Sequence, residues 1–265
     1  MRYRYLCLVA LGWLWSAPAA AQPSEPPAAE VQAAEPSQCQ FAGMSMSGDR
    51  PLPRVQAALK ERKSLRILSI GTSSSALMRE TGESYFEIIE RLLEKAVRGT
   101  DVQIIDRSVS GELARDAADR LKTEVALESP DLVLWQLGGN DALAGIPADE
   151  FEATVTETLD WLKGHGVDVA VIGMQYVGSL SKDQNYQELR RTLQRVVDKH
   201  KVLRIARYEA TQMLAKARDP ATGDLPNDFA VTDIGYDCLS EYVVRAVMSA
   251  IAVKTPNASP RGRRE

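Results

Sequence analysis

The sequence predicts an α/β domain built on a parallel five-stranded sheet, with helices covering both faces of that sheet. Short apolar segments of strand length alternate along the chain with longer segments whose apolar residues recur at helical spacing. Neighbouring parallel strands are joined by right-handed helical crossovers that pack on the faces of the sheet. The alternation therefore favours three layers, with the sheet between two layers of helices.

The first half of the domain supplies three of the strands. Residues 65–70 are largely apolar and end at Gly71, and residues 102–105 form a second short strand. Residues 132–137 (LVLWQL) are apolar almost throughout, which is typical of a central strand buried on both faces. Helices are predicted over residues 84–98, from their apolar spacing, and over residues 111–127, which Gly111 opens.

The second half continues the alternation. Residues 147–162 form a predicted helix with Pro147 in its first turn, where proline is favoured. Residues 167–172 and the short segment 202–205 are the fourth and fifth strands. The remaining predicted helices cover residues 186–200, a segment that ends near residue 217, and residues 233–252.

Residues 1–21 have the pattern of a secretory signal peptide. Arg2 and Arg4 precede an apolar stretch, and alanines at positions 19–21 give a cleavage site of small residues. The apolar stretch is too short for a membrane span, and no later segment is long and apolar enough for one. We therefore expect a protein that is exported, either to a periplasm or out of the cell.

Composition divides the rest of the chain. Residues 22–38 are rich in Ala, Pro and Glu, which is typical of a linker, and the polar tail 254–265 is expected to be disordered. Residues 39–253 have the size of one domain. The formal net charge is −4, and it becomes about −6 once the signal-peptide arginines are removed. This charge argues against nucleic acid and anionic membrane surfaces as partners.

Two cysteines, Cys39 and Cys238, remain after removal of the signal peptide. In an oxidising compartment such a pair favours a disulfide, which would join the N-terminal extension to the last helix. Two unrelated buried thiols are the alternative. The only histidines in the sequence, His165 and His200, are far apart, so no metal-ligand spacing is visible. We predict no metal and no other cofactor.

Three strand ends carry unusual turns, at the edge where α/β sheets bind their ligands. Hydroxyl residues 72–75 follow the first strand, Gly111 lies beyond the second, and residues 138–141 (GGND) follow the third. A nucleophilic hydroxyl, a free backbone N–H and the Asn140 amide at one edge can together stabilise a tetrahedral oxyanion. Each turn also has a structural alternative, since serines cap helices and Gly and Asn are common in turns.

Together these turns resemble the sequence blocks of the SGNH (GDSL-type) hydrolase family. Residues 71–75 (GTSSS) match the first block, with Thr72 where the family usually has Asp. Gly111 matches the second block, and residues 138–141 match the third, Gly-x-Asn-Asp. The resemblance spans roughly residues 65–239 and implies a three-layer α/β/α, flavodoxin-like fold. It also implies Ser73 as the nucleophile, with the oxyanion bound by the Ser73 and Gly111 N–H groups and the Asn140 amide.

The last block of the family, Asp-x-x-His, is missing. Counting back from the Gly-Tyr pair at 235–236 places Asn227 at the aspartate position and Ala230 at the histidine position. His165 and His200 each precede a predicted strand, so both are expected at the edge of the sheet away from Ser73. The candidates for a substitute base are Asp224, Asp228 and Asp233, and such a carboxylate would need its pKa raised by burial.

Three functions remain open. The first is an exported esterase or deacylase that acts on a small-molecule or glycan ester through an acyl-enzyme on Ser73, with Asp228 as the candidate base. The second is an impaired family member that binds acylated glycans or peptidoglycan fragments. The third is a flavodoxin-like flavin-binding protein that uses residues 72–75 as a phosphate loop. Residues 174–178 follow the fourth strand, and we expect Gln175 and Tyr176 to line the substrate pocket. The sequence does not indicate an oligomeric state.

Overall fold

The computed structural model describes Cys39 and residues 50–72, 84–218 and 233–253, without the side chains of residues 233, 234 and 236. Contacts divide the chain after Glu35, and all the described residues fall in the second unit, Pro36–Glu265. In this part of the chain, no helix has the length and apolar character needed to cross a membrane. The predicted signal peptide, linker and tail lie outside the described residues and stay predictions.

A five-stranded sheet in the order β2-β1-β3-β4-β5 forms the centre of the fold, and all its pairings are parallel. This confirms the predicted α/β fold with a parallel sheet. Gly71 at the end of β1 lies beside Gln136 of β3, which lies beside Ile172 of β4. Ile172 in turn pairs with Ile205 of β5, so the carboxyl ends of β1, β3, β4 and β5 lie side by side at the same edge of the sheet. The strands are β1 (Ser64–Gly71), β2 (Asp101–Asp106), β3 (Leu132–Gln136), β4 (Asp168–Ile172) and β5 (Leu203–Ile205).

Helices cover both faces of the sheet, and alternate strand residues pack on each layer. Leu65 and Ile67 of β1 pack with α1, α2, α7 and α8, whereas Leu68 and Ile70 pack with α3, α5 and α6. The helices are α1 (Pro53–Glu61), α2 (Tyr85–Ala96), α3 (Ala114–Glu128), α4 (Gly139–Leu143), α5 (Ala148–Gly164), α6 (Gln184–His200), α7 (Arg207–Arg218) and α8 (Asp233–Ala252). A 3-10 turn, Gly178–Leu180, lies between β4 and α6.

Two helix starts differ from the prediction. The helix expected to open at Gly111 begins at Ala114, because Gly111 has a φ of +80° and belongs to the preceding turn. Pro147 lies at the N-cap of α5 rather than in its first turn. Helices α1 and α4 were not predicted. Helix α4 has five residues and arises within the GGND turn, too short for its apolar spacing to be recognised.

The buried carboxylate of Asp131 organises the amino edge of the sheet. It accepts a hydrogen bond of 3.1 Å from the Arg66 N–H and forms ion pairs with Arg54 (3.2 Å) and Arg62. Because a buried charge is costly unless it is paired, these partners explain why an ionised group is tolerated there. Two of the three arginines belong to or follow α1, so Asp131 also attaches α1 to the sheet.

Asp168, at the start of β4, holds the first turn of α1. Its Oδ2 accepts a hydrogen bond of 3.0 Å from the Val55 N–H. Burial raises the pKa of Asp168 from 3.8 to about 6, although the backbone N–H groups of Val55 and Arg54 act in the opposite direction. The carboxylate therefore titrates well above the usual range for aspartate.

Cys39 and Cys238 form a disulfide, with an S–S distance of 2.06 Å. Both cysteines are buried, and Cys238 lies in the second turn of α8. The bond joins the N-terminal segment that precedes α1 to the last helix, as the sequence predicted.

Candidate active site

The carboxyl ends of the strands enclose a cleft with a volume of about 410 Å³. The turns that follow β1, β2 and β3 form one wall and contribute Thr72, Gly111 and Asn140. The loops that follow β4 and β5 form the other wall and contribute Gln175 and Arg207. The sheet order explains this arrangement, since β1 and β3 are adjacent at the centre and β4 and β5 follow on one side.

The turn after β1 requires glycine at position 71. Gly71 has a φ of +101°, and a Cβ there would lie 2.1 Å from the carbonyl oxygen of Gln136. This close approach lets the Thr72 N–H donate to the same oxygen at 3.0 Å. The chain therefore stays attached to β3 until the residue before Ser73. Ser73 itself lies outside the described residues, so its role as nucleophile stays a prediction.

The segment after β2 continues to pair with β1 beyond the last residue of the strand. The Arg107 N–H donates to the Ser69 carbonyl at 2.8 Å, and the Val109 N–H donates to the Gly71 carbonyl at 3.0 Å. These bonds bring Gly111 to the cleft beside the turn of β1. No described residue accepts a hydrogen bond from the Gly111 N–H. This group is therefore able to donate to a ligand in the cleft.

The GGND turn after β3 is held by the carboxylate of Asp141. This buried side chain accepts hydrogen bonds from the Ala114 N–H at 2.8 Å and from the Gly138 N–H at 3.1 Å. It joins the start of α3 to the turn that carries Asn140, and so fixes the two predicted oxyanion donors relative to each other. Burial raises the pKa of Asp141, and the backbone donors oppose that rise.

Asn140 connects all three turns. Its Nδ2 donates to the hydroxyl oxygen of Thr72 at 2.7 Å and to the carbonyl oxygen of Glu112 at 3.1 Å. The amide is thus oriented firmly, but both of its hydrogens are engaged within the protein. For the Asn140 amide to donate to an oxyanion, one of these two hydrogen bonds must break. The Thr72 hydroxyl oxygen accepts a hydrogen bond from Asn140, so the proton of this hydroxyl can be donated only to a different acceptor.

The opposite wall of the cleft is a hydrogen-bonded group around Gln175. The Tyr186 hydroxyl donates to the Gln175 carbonyl at 2.7 Å, and the Arg207 guanidinium donates to the Gln175 side-chain oxygen at 2.8 Å. Burial raises the pKa of Tyr186 to about 12, so its hydroxyl stays protonated as a donor. The sequence analysis placed Gln175 in this region but missed Tyr186 and Arg207. A charged residue two positions after the end of β5 was the available signal for Arg207.

Tyr176 packs against Tyr208 of α7. It is not among the described residues that line the cleft, and its ring meets the ring of Tyr208 edge-on at 5.6 Å. Its N–H donates to the Thr211 hydroxyl at 2.8 Å, which ties the loop after β4 to α7. The structure thus assigns Tyr176 a place in the support of the cleft wall, and its predicted contact with substrate remains without structural support.

The two histidines lie away from the cleft, as their sequence positions indicated. His165 precedes β4 and stacks on Trp161 with 3.9 Å between ring centroids. His200 ends α6, its Nδ1 lies 3.2 Å from Asp160, and it lines a separate cavity at the amino edge of the sheet. Ala230 and the candidate base Asp228 lie outside the described residues, as does Asp224. Among the described residues, no group of three or more metal-ligating side chains is present.

Comparison with known proteins identifies the family. Residues 38–253 match the model of the non-GDSL lipase-like family. The chain belongs to this family. Esterase TesA of Pseudomonas aeruginosa is 29% identical over 110 residues, which are 41% of this chain and 54% of that protein. An arylesterase of Vibrio mimicus is 30% identical over 109 residues, 40% of this chain and 53% of that protein. The chain thus spans about half the length of the curated relatives it matches.

Solved structures of other proteins have the same fold as this member of the non-GDSL lipase-like family. The acetylxylan esterase Axe2 from Geobacillus stearothermophilus superposes with a TM-score of 0.57 at 18% identity, over 69% of this chain and 94% of that one. The crystal structure of TesA gives a TM-score of 0.52 at 21% identity, over 71% of this chain and 98% of that one. The predicted resemblance to SGNH-type hydrolases is confirmed at the level of family and fold.

Proposed function

We propose that this protein is an esterase or deacylase that forms an acyl-enzyme on Ser73. The observation that carries the proposal is the Asn140 amide, which bridges the turns after β1 and β2 beside the Gly111 N–H. This arrangement supports the assignment of Asn140 and Gly111 as oxyanion donors, because Asn140 contacts Thr72, the residue that precedes Ser73, and Gly111 lines the same cleft. The relatives named esterase and arylesterase support the same class of reaction.

In the proposed reaction the Ser73 hydroxyl attacks the ester carbonyl and passes its proton to a base. The Gly111 N–H and the Asn140 amide stabilise the oxyanion that forms, and collapse of the tetrahedral intermediate releases the alcohol with a proton. Water then attacks the acyl-enzyme, releases the acid and restores the serine. These steps need a base within reach of the serine in both halves of the reaction.

Asp228 is our candidate for that base. It lies in the segment between α7 and α8 that carries Ala230 at the family's histidine position. A carboxylate is a weak base at neutral pH unless burial raises its pKa. Loss of the histidine in a serine triad costs on the order of 10⁴ to 10⁶ in turnover. We therefore expect slow turnover compared with a histidine-dependent esterase.

We further propose that the protein is exported and acts on a small-molecule or glycan ester. The signal-peptide pattern of residues 1–21 and the Cys39–Cys238 disulfide support export, because disulfides persist mainly in oxidising compartments. The alternative function is binding of acylated glycans without turnover, and the replacement of the family histidine by Ala230 favours it. The flavin-binding hypothesis gains no support from the family match.

The test uses residues 22–265 with 4-nitrophenyl acetate and measures release of nitrophenolate. Ser73→Ala is expected to abolish activity, whereas Ser249→Ala, on an exposed position of α8, is expected to leave it unchanged. If the parent is inactive and Ala230→His gains activity that depends on Ser73, the protein is an acyl-ligand binder with an incomplete site. Measurable activity that is equal in the parent and in Ser73→Ala contradicts the proposal.

A further inference from the structure

The segment that joins β2 to α3 carries the Gly111 N–H and a carbonyl that helps to orient Asn140. Residues 107–111 are exposed or half-buried, so the burial of side chains contributes little to the conformation of this segment. Within the described part of the chain, no atom lies within 4 Å of the position that a Cβ would take at Gly111. Hydrogen bonds must therefore hold the segment in the geometry that an oxyanion site requires.

The two halves of this segment are held in different ways. The first half is attached to β1 through the backbone N–H groups of Arg107 and Val109. The second half is held at Glu112, whose N–H donates to the Val109 carbonyl at 3.2 Å and whose carbonyl accepts from the Asn140 Nδ2 at 3.1 Å. Because Gly111 precedes Glu112, a displacement of Glu112 would move the Gly111 N–H and weaken the orientation of Asn140.

The buried side chain of Glu112 is bound by Arg120, which lies in the second turn of α3. The Nε and Nη2 of Arg120 donate to the two oxygens of the Glu112 carboxylate at 2.8 and 2.9 Å. The same Nη2 also donates to the backbone carbonyl of Arg107 at 2.8 Å. One guanidinium thus joins the two ends of the segment, on either side of Gly111.

The geometry of this ion pair distinguishes it from an ordinary surface pair. The side chain of Glu112 is 5% exposed and that of Arg120 is 35% exposed. Paired bonds between a guanidinium and a carboxylate fix the mutual orientation of the two groups, which a single contact does not do. A carboxylate buried to this extent is costly without its partner. The pair therefore fixes the position of Glu112 relative to α3.

We propose that Arg120 is a positioning residue for the oxyanion site and acts on it through Glu112. The pair holds the Gly111 N–H and the Asn140 amide where they can donate to the oxyanion. This inference rests on the proposed esterase function. Arg120 is not among the described residues that line the cleft, and it takes no part in the bond changes of the reaction. Because the oxyanion develops after the substrate has bound, misplaced donors lower kcat and leave KM nearly unchanged.

The experiment measures kcat and KM separately with 4-nitrophenyl acetate, at a temperature below the thermal unfolding of every variant. Arg120→Gln removes the charge and the paired donors, whereas Arg120→Lys keeps the charge. The double variant Arg120→Gln, Glu112→Gln lacks the ion pair without leaving a buried carboxylate unpaired. Arg115→Gln is the matched control, because Arg115 lies on the same helix, is 59% exposed and pairs with Glu150.

We expect Arg120→Gln and the double variant to lose about 10- to 100-fold in kcat with little change in KM, a smaller effect than removal of an oxyanion donor itself. Arg120→Lys should recover part of this loss, and Arg115→Gln should retain the activity of the parent. A kcat of Arg120→Gln equal to that of Arg115→Gln would overturn the inference. A loss that lies in KM alone would also overturn it, since the residue would then affect substrate binding.

Hydrogen exchange separates failure of this inference from failure of the esterase proposal. NMR follows exchange of the Asn140 side-chain amide, and the N–H of Leu134, buried in β3, reports global unfolding in the same sample. The Asn140 amide should exchange about tenfold faster in Arg120→Gln, with Leu134 unaffected. If no ester is hydrolysed but this acceleration occurs, the positioning role stands and the esterase proposal is wrong. Unchanged exchange would make the positioning role wrong, and Ser73-dependent hydrolysis by the parent would then leave the esterase proposal standing.

Discussion

Replacing Gly71 by alanine is expected to destabilise the protein strongly, because two independent penalties coincide at this position. The φ of +101° costs an alanine about 1–2 kcal/mol. In addition, the new Cβ would lie 2.1 Å from the Gln136 carbonyl oxygen, whereas such atoms normally stay about 3.3 Å apart. The ends of β1 and β3 must therefore separate by about 1 Å, which breaks the hydrogen bond from the Thr72 N–H.

Together these effects predict a loss of about 3 to 5 kcal/mol in the free energy of unfolding. Gly99→Ala is the matched control. Gly99 has a φ of +75° with no atom within 4 Å of the added Cβ, so it carries the backbone strain without the collision. We expect a loss of about 1–2 kcal/mol for this control. Urea unfolding followed by tryptophan fluorescence gives both values. Equal losses in the two variants would refute the steric argument for the turn at Gly71.

Three further perturbations test other parts of the structure. Thr72→Val removes the acceptor of the 2.7 Å hydrogen bond from Asn140, so kcat/KM for a neutral ester should fall about tenfold. Thr72→Ser keeps the hydroxyl and should retain activity. Equal activity of the two variants would show that this hydrogen bond does not orient the amide. The raised pKa of Asp168 means that the folded state binds a proton more tightly than the unfolded state. The free energy of unfolding should therefore fall by up to about 3 kcal/mol as the pH rises from about 4 to 6. Asp168→Asn should remove this pH dependence in urea titrations. An unchanged pH dependence in the variant would show that Asp168 is not the group responsible. The double variant Cys39→Ala, Cys238→Ala lacks the disulfide, which joins residues 199 positions apart. Its free energy of unfolding should be lower by about 2 to 5 kcal/mol. A melting temperature equal to that of the parent would contradict this expectation.

Local signals were sufficient to predict the sheet and most of the helices. Buried strands such as residues 132–137 are apolar over their whole length, and this pattern does not depend on distant residues. Ser84 caps α2 and its partner Glu87 completes a capping box, so both the signal and its interaction lie within four residues of the chain. The turns at Gly71 and Gly138 likewise reflect positive φ angles that only glycine adopts easily.

Long-range pairing was not predictable in the same way. Helix α1 is held by Asp131 and Asp168, which are 69 residues beyond Arg62 and 113 residues beyond Val55, and a sequence does not reveal which distant carboxylate receives a given donor. The bond between Asn140 and Thr72 depends on the register of β1 and β3 in the same way. In the sequence alone, Arg207 does not differ from an ordinary surface arginine. Its position in the cleft follows from the packing of α7 against the sheet.

The proposed carboxylate base, Asp228, has a consequence for the charge that position 72 can carry. When a histidine is the base, the imidazolium that forms offsets the negative charge of the oxyanion. When a carboxylate is the base, it becomes neutral as the oxyanion forms, so the site carries a negative charge throughout the step. Such a site benefits from losing other negative charges nearby. Thr72 accepts the Asn140 hydrogen bond without the charge of the aspartate that is usual in the SGNH family.

An aspartate at position 72 is expected to lower the activity of the natural protein, and to lower it less once a histidine is present at position 230. Thr72→Asp alone should lower kcat by about tenfold or more, because a second negative charge lies beside the oxyanion. In an Ala230→His background the same change should cost clearly less, which a double-mutant cycle measures as a coupling between positions 72 and 230. Equal losses in both backgrounds would mean that the base is not a carboxylate, or that position 72 does not sense the charge of the reaction.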